Sequence, residues 1–201
     1  DGKPFSGMGV AFADYDNDGR PDILVTNLAQ EKWALYRNEG DGQFSYATAA
    51  TGLAALVVRS SGWGVEFGDF DNDGDLNLLI TSNNGPVRLL RNDNANQNDL
   101  LRVKLVGSKA NRDGIGATVT VKTSKGAKEQ QMVRTGSSYA SQSELPLVFG
   151  LGTPDQNVTL AVDVSWPGGG KDSVANIKPN QSIVIQEGKG VTTSAPIVFV
   201  L

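Results

Sequence analysis

The chain reads as an all-β protein: two β-propeller-type blades, then an antiparallel β-sandwich or barrel, then an apolar C-terminal strand. Three observations predict this. The text "SGMGVAFADYDNDGRPDILVT", from Ser6, returns without a gap as "SGWGVEFGDFDNDGDLNLLIT", from Ser61. From about residue 98 the sequence changes to apolar residues alternating with polar ones, the period of half-buried strands. No stretch sustains a helical period, and 24 glycines among 201 residues supply frequent turns.

Each repeat resolves into short strands. In the first, "GVAFA" enters an acidic loop, "ILVTN" leaves it, "WALYRNE" follows, and "EGDGQF" turns into a fourth strand. In the second, "GVEFG", "LLITSN" and "VRLLRN" take the same places, and the unit loses its last strand near "NDNANQND". "LYRN", Leu35 to Asn38, answers "LLRN", Leu89 to Asn92. The polar run from Asn92 to Asp99 marks a boundary, which places two blades at 1–97 and a second unit at 98–188. There, Leu101, Val103 and Leu105 face one way; Ala117, Val119 and Val121 follow, then Val158, Leu160, Val162, Val164 and Trp166, then Ile183 and Ile185. The remainder, 189–201, ends in an unbroken apolar run from Pro196 to Leu201 that needs a cover. Two readings of it stay open. It finishes this chain's own sheet, or it inserts into a neighbour and links subunits head to tail. A propeller closes with about four blades or more. Two blades therefore belong to a longer chain, or bury their faces on each other, on the sandwich or on another subunit.

The repeated loops concentrate negative charge. Eight of the 22 acidic residues fall in them; apart from those eight, the chain carries 14 acidic and 18 basic residues within a net charge of −4. Oxygen donors at alternate positions of a tight turn suit calcium, which takes six to eight hard oxygens at about 2.3–2.6 Å. In the first loop Asp14, Asp16 and Asp18 stand at positions 1, 3 and 5, Gly19 allows the bend, Arg20 offers its carbonyl at position 7 and Asp22 closes position 9. In the second, Asp69, Asp71, Asp73 and Asn77 supply side chains, with Gly74 at the bend and the Asp75 carbonyl at position 7. Val25 and Ile80 occupy position 12, where a helix-loop-helix site carries Glu, so the same ligand logic rides on a hairpin. A solvated turn is the competing reading, since Asn, Asp and Gly favour turns. Two copies in register favour Ca2+, one ion per loop, and magnesium fits less well because it keeps its waters.

Other chemistry is thinly represented. The chain has no Cys and no His, which removes disulfides, thiolate or imidazole zinc sites and Ser-His-Asp catalysis. No basic stripe with interleaved aromatics points to nucleic acid, and no window reaches the roughly 18 apolar residues of a membrane span. An opening "DGKPF" without Met reads as processed or trimmed, so a missing leader does not argue against secretion. "NRDGIG", Asn111 to Gly116, reads as a hairpin turn before a third cation site. Glu129, Glu144 and Asp163 read as solvated strand edges, with nothing in their spacing to pair two of them for glycoside hydrolysis. Trp33, Trp63 and Trp166 read as packing residues, and Ser137, Ser138 and Tyr139 as a polar loop without a base.

The repeats resemble FG-GAP (VCBS-type) repeats, the calcium-loop blades of integrin-like propellers, through "GVAFADYDNDGRPDILVTN", "GVEFGDFDNDGDLNLLITSN" and "LYRNEGDGQF". Residues 98–187 resemble the ASPIC/UnbV domain of the cartilage acidic protein-like family, through "NRDGIGATVTV", "GSSYASQSELPLVFGLG" and "VSWPGG". The resemblance implies secretion or surface display, calcium at the two loops, and protein-binding or structural roles; for the second domain it implies no settled activity. The function expected is a non-catalytic, calcium-binding extracellular module acting through protein partners, as a homo-oligomer or a polymer built by strand exchange. A monomeric ligand-binding fragment of a longer propeller protein is the alternative, and a polysaccharide-acting enzyme a remote one.

Overall fold

The structure is a computed structural model and describes residues 4–56, 59–70, 75–92, 98–142 and 144–197. The first repeat forms a four-stranded antiparallel sheet in chain order: β1 (Gly7–Ala13), β2 (Asp22–Asn27), β3 (Ala34–Gly40) and β4 (Gln43–Tyr46). A short 3-10 turn, Leu53–Ala55, precedes the second sheet of β5 (Gly62–Gly68), β6 (Asn77–Ser82) and β7 (Arg88–Leu90). Among the described residues the second blade has three strands; residues 93–97, in the stretch where the sequence reading loses a fourth, lie outside them.

The repetition extends to hydrogen bonds. β1 and β5 each carry a register irregularity near the start, which takes one amide out of the ladder. A threonine hydroxyl accepts that amide in both copies: Gly9 N–H to Thr26 Oγ1 at 3.0 Å, and Gly64 N–H to Thr81 Oγ1 at 2.9 Å. The two first strands lie against each other. A side chain at Gly9 would start 1.8 Å from the Trp63 carbonyl oxygen, so only glycine allows this approach. Leu24, Trp33, Leu35, Val65, Phe67, Leu78 and Ile80 fill the space between the blades.

Two four-stranded sheets face each other in the second unit. One runs β10 (Lys128–Met132), β9 (Thr118–Thr123), β12 (Leu160–Ser165), β13 (Lys171–Ile177); the other runs β11 (Leu147–Gly152), β8 (Asp99–Val106), β14 (Gln181–Gln186), β15 (Gly190–Pro196). The alternating residues read from the sequence are the core, with Leu101, Val103, Val119, Val162, Ile183 and Ile185 wholly enclosed and Val158 at the margin. One pairing departs from the antiparallel expectation: β14 runs parallel to β8. The intervening strands supply the long crossover that a parallel pair requires.

The units share a seam. Leu100 and Val148 point out of the β8–β11 edge into the blade cluster, while their neighbours Leu101 and Phe149 point into the sandwich. The polar loop 136–142 lies across β1 and β5: the Ser138 hydroxyl accepts the Val65 N–H at 3.2 Å, Ser137 donates to Glu66, and Tyr139 packs on Trp63 with ring centroids 4.7 Å apart. The blades thus bury part of their faces on each other and on the sandwich. As for the tail, β15 pairs with β14 in this chain, and Ile197 donates its amide to the Asn180 carbonyl and packs against the blade cluster. Residues 198–201 lie outside the described residues.

Candidate metal centre

The first acidic loop links β1 to β2, with Asn17 and Gly19 both at positive φ (54° and 88°) to close the turn. Asp14 sits inside it and accepts the amides of Asp18 (2.9 Å) and Gly19 (2.8 Å); Asp18 accepts the Arg20 amide at 3.0 Å. Asp14, Asp16 and Asp18 are thereby brought together, one carboxylate oxygen of each lying within 4.8 Å of the others. Oxygens sharing one ion at about 2.3–2.6 Å stand no more than about 5 Å apart, so this spacing fits a common calcium. Asp22, at position 9, is fully buried. Its carboxylate accepts the Tyr15 amide (3.1 Å) and the Asn38 amide (2.8 Å), tying the loop to β3. Arg20 turns its side chain onto Asp18 and the Asn38 carbonyl.

Electrostatics favour a cation here. Burial pushes the Asp14 carboxyl up to about 8, against the opposing pull of the Gly19 amide. Burial likewise lifts Asp22 to about 7, and lifts Asp18 with help from the Asp16 charge. Arg37, on β3, answers part of this charge by pairing with Asp16 at 2.7 Å and Asp18 at 2.9 Å. Its hydrogen bond to Asp16, with the neighbouring carboxylates, holds the guanidinium above its ordinary range. Arg20 and Arg37 reach Asp16 and Asp18 but not Asp14 or Asp22, so ionising all four carboxyls together calls for a further positive charge.

Part of the second loop is described. Asp69 and Asn77 are buried, as their counterparts Asp14 and Asp22 are, and Asp75 is buried too, while Asp71 and Asp73 lie outside the described residues. Asn77 Oδ1 accepts the Asn92 amide at 2.9 Å, repeating the Asp22–Asn38 bond. Asn38 and Asn92 also donate their side-chain amides to the equivalent carbonyls of Pro21 (3.0 Å) and Leu76 (3.4 Å). This gives the repeated "RN" a role the sequence left unassigned: the Arg of the first copy faces the loop carboxylates, and each Asn staples the loop exit to the third strand. The loops also touch. Asn17 donates to Asp75 at 3.0 Å, Asn92 to the Tyr15 carbonyl at 2.9 Å, and Asn98 to the Asp16 carbonyl at 3.0 Å.

Two acidic residues read as solvated strand edges are not so placed. Glu129 turns inward toward Asp14 and Asp18, and burial pushes it up to about 7. Glu144 pairs with Arg102 at 2.6 Å and accepts the Asp69 amide at 3.3 Å. Asp163 does lie on an outer face, paired with Lys122 and Ser173. "NRDGIG" is a turn, closed by paired bonds between the Asn111 side chain and the Ile115 backbone. Trp33 and Trp166 are buried packing residues.

Comparison with known proteins agrees with this architecture. Residues 14–80 match the family model of the FG-GAP-like repeat, and residues 107–192 match that of ASPIC and UnbV. Cartilage acidic protein 1 of Mus musculus is 27% identical over 94% of this chain and 30% of its own length. The Homo sapiens protein of that name is 28% identical over 80% of this chain and 25% of its own length. The chain thus spans between a quarter and a third of these relatives. It carries an FG-GAP-like repeat region followed by an ASPIC and UnbV region.

Proposed function

We propose that the chain is a calcium-stiffened, non-catalytic module of an extracellular or cell-surface protein, working through protein–protein contacts. The clustered oxygens of Asp14, Asp16 and Asp18 carry this reading, and the second loop repeats the pattern with Asp69, Asp71, Asp73 and Asn77 and the Asp75 carbonyl. Arg20 contributes its carbonyl and Asp22 its position-9 carboxylate, which also ties the loop down by accepting the Tyr15 and Asn38 amides. A bound calcium supplies the positive charge that lets these carboxylates ionise together. The chain's own residues hold the hairpins and so fix the surface the blades present. That surface has apolar character: Val10, Phe12 and Phe70 are each about half exposed, as suits protein contact. Among the described residues no helix is long and apolar enough to cross a membrane.

Calcium titration calorimetry on the intact chain tests the reading. Two ions with dissociation constants of about 0.1–1 mM are expected. At about 1–2 mM calcium they stabilise by roughly 0.5–2 kcal/mol per site. No binding heat at about 5 mM calcium overturns it. The self-associating form of the proposal rests on residues after Ile197, because Gly190–Pro196 is already paired within the chain. Light scattering with and without calcium decides that form: polymers lost on deleting 198–201 support it, and a monodisperse monomer throughout removes it.

A further inference from the structure

β10 alternates between water and the seam. Lys128, Gln130 and Met132 face solvent, while Glu129 and Gln131 turn inward. Gln131 donates to the Val148 carbonyl of β11 at 2.6 Å and to Glu129 Oε1 at 2.7 Å. The other carboxylate oxygen, Glu129 Oε2, is enclosed with no hydrogen-bond donor among the described residues. Across a cavity of about 70 Å³ it meets the first acidic loop; the lining includes Asp18, Gly19, Lys128, Gly150 and Leu151. Asp14 and Asp18 lie within electrostatic reach of it.

Three carboxyl groups enclosed together cannot all ionise unless a positive charge serves them. The second loop shows the contrast. Glu144 of the sandwich also approaches a loop, at the Asp69 amide, and Arg102 neutralises it. Glu129 has Gln131 as its hydrogen-bonded partner, and Gln131 carries no charge. The backbone makes room at the same place. Gly152 N–H donates to the Asn17 carbonyl at 3.0 Å, and a side chain at Gly150 would start 1.9 Å from Asp14 Oδ2. The loop is therefore cradled against β11, beside the strand that carries Glu129.

We propose that Glu129 is an oxygen donor from the sandwich to the cation of the first acidic loop, directly or through one water, so that loading this loop fastens the first blade to the sandwich. The inference deepens the calcium reading and rests on it. It makes the two loops unequal, since the first spans the units and the second finds a carboxylate already paired.

The test compares wild type, Glu129→Gln and Asp163→Asn by calcium calorimetry, by thermal unfolding with and without calcium, and by hydrogen exchange of residues 14–22 and 147–152. Asp163→Asn, on the outer face, is expected to match wild type. Glu129→Gln should weaken one of two calcium sites about tenfold, in the range typical of lost supporting contacts around a metal. It should also raise the midpoint of the calcium-free protein, because an enclosed carboxyl oxygen without a donor is gone, and lose the calcium-induced protection of 147–152. A Glu129→Gln isotherm that overlays wild type, with two sites still present, overturns this inference alone. A wild type that binds no calcium overturns the underlying reading and the inference with it. A calcium-free Glu129→Gln less stable than wild type marks Glu129 as purely structural, and that too overturns the inference.

Discussion

Replacing Gly150 by alanine probes the junction between the first acidic loop and the sandwich. The added carbon would start 1.9 Å from Asp14 Oδ2 and 2.6 and 2.7 Å from the carbonyl carbon and Cα of Asn17. Ordinary contacts of this kind lie near 3.5 Å. The loop must therefore retreat by about 1 Å, and two of the three obstructing atoms are backbone, which no side-chain rotation can move. Overfilling a packed site costs about 1–3 kcal/mol. For a chain of this size each kcal/mol lowers the midpoint by about 2–4 °C, so a fall of about 2–12 °C is expected. A retreat of that size exceeds the tolerance of an oxygen shell at about 2.3–2.6 Å, so the first calcium site should weaken about tenfold while the second holds. Gly136→Ala is the control, since among the described residues nothing stands within 4 Å of its added carbon. Differential scanning calorimetry and calcium titration on both variants read the effect. A Gly150→Ala midpoint within about 1 °C of Gly136→Ala, with both sites intact, refutes the cradle.

Thr26→Val strands the buried Gly9 amide and should cost about 1–3 kcal/mol in denaturant unfolding, whereas Thr81→Val, at an exposed position, should cost less despite the same bond. Arg37→Gln removes the guanidinium paired with Asp16 and Asp18. It should lower the midpoint without calcium and enlarge the rise that calcium produces, as differential scanning calorimetry would record. Glu187 accepts the amides of Ala110, Ser108 and Lys109, and these bonds hold its carboxyl below the ordinary range. A depressed folded value means the stabilisation is present above the unfolded value and is lost as pH falls through the folded one. Glu187→Gln should therefore destabilise at pH 7 and converge on wild type in acid, in urea unfolding at the two pH values.

Much of this organisation is visible in one dimension because it is periodic. Leu101, Val103 and Leu105 alternate with Arg102 and Lys104, and a half-buried strand admits only one such assignment of faces. The loop carboxylates are equally legible, since alternation in a turn is itself a geometric statement, and Asp14, Asp16 and Asp18 converge as their spacing requires. What escapes is pairing at long range. The parallel match of β14 to β8 depends on how a crossover is routed, which no local period encodes. Glu129 looks solvated because Lys128 and Gln130 beside it are, yet alternation turns it to the other face, where the first loop rests. Ser137 and Ser138 read as a polar surface loop, and the structure spends their hydroxyls on Glu66 and on the Val65 amide. "RN" was conspicuous as repeated text, but its stapling of each loop to a third strand needs the folded hairpin.

The most direct measurement is an anomalous difference map from crystals of this chain grown with calcium. A peak is expected among the oxygens of Asp14, Asp16 and Asp18, at about 2.3–2.6 Å from each, with Glu129 facing it from the sandwich side. A featureless map at saturating calcium, with Arg20 and Arg37 still holding Asp16 and Asp18, would contradict the account, because the clustered charge would then be balanced from within the chain.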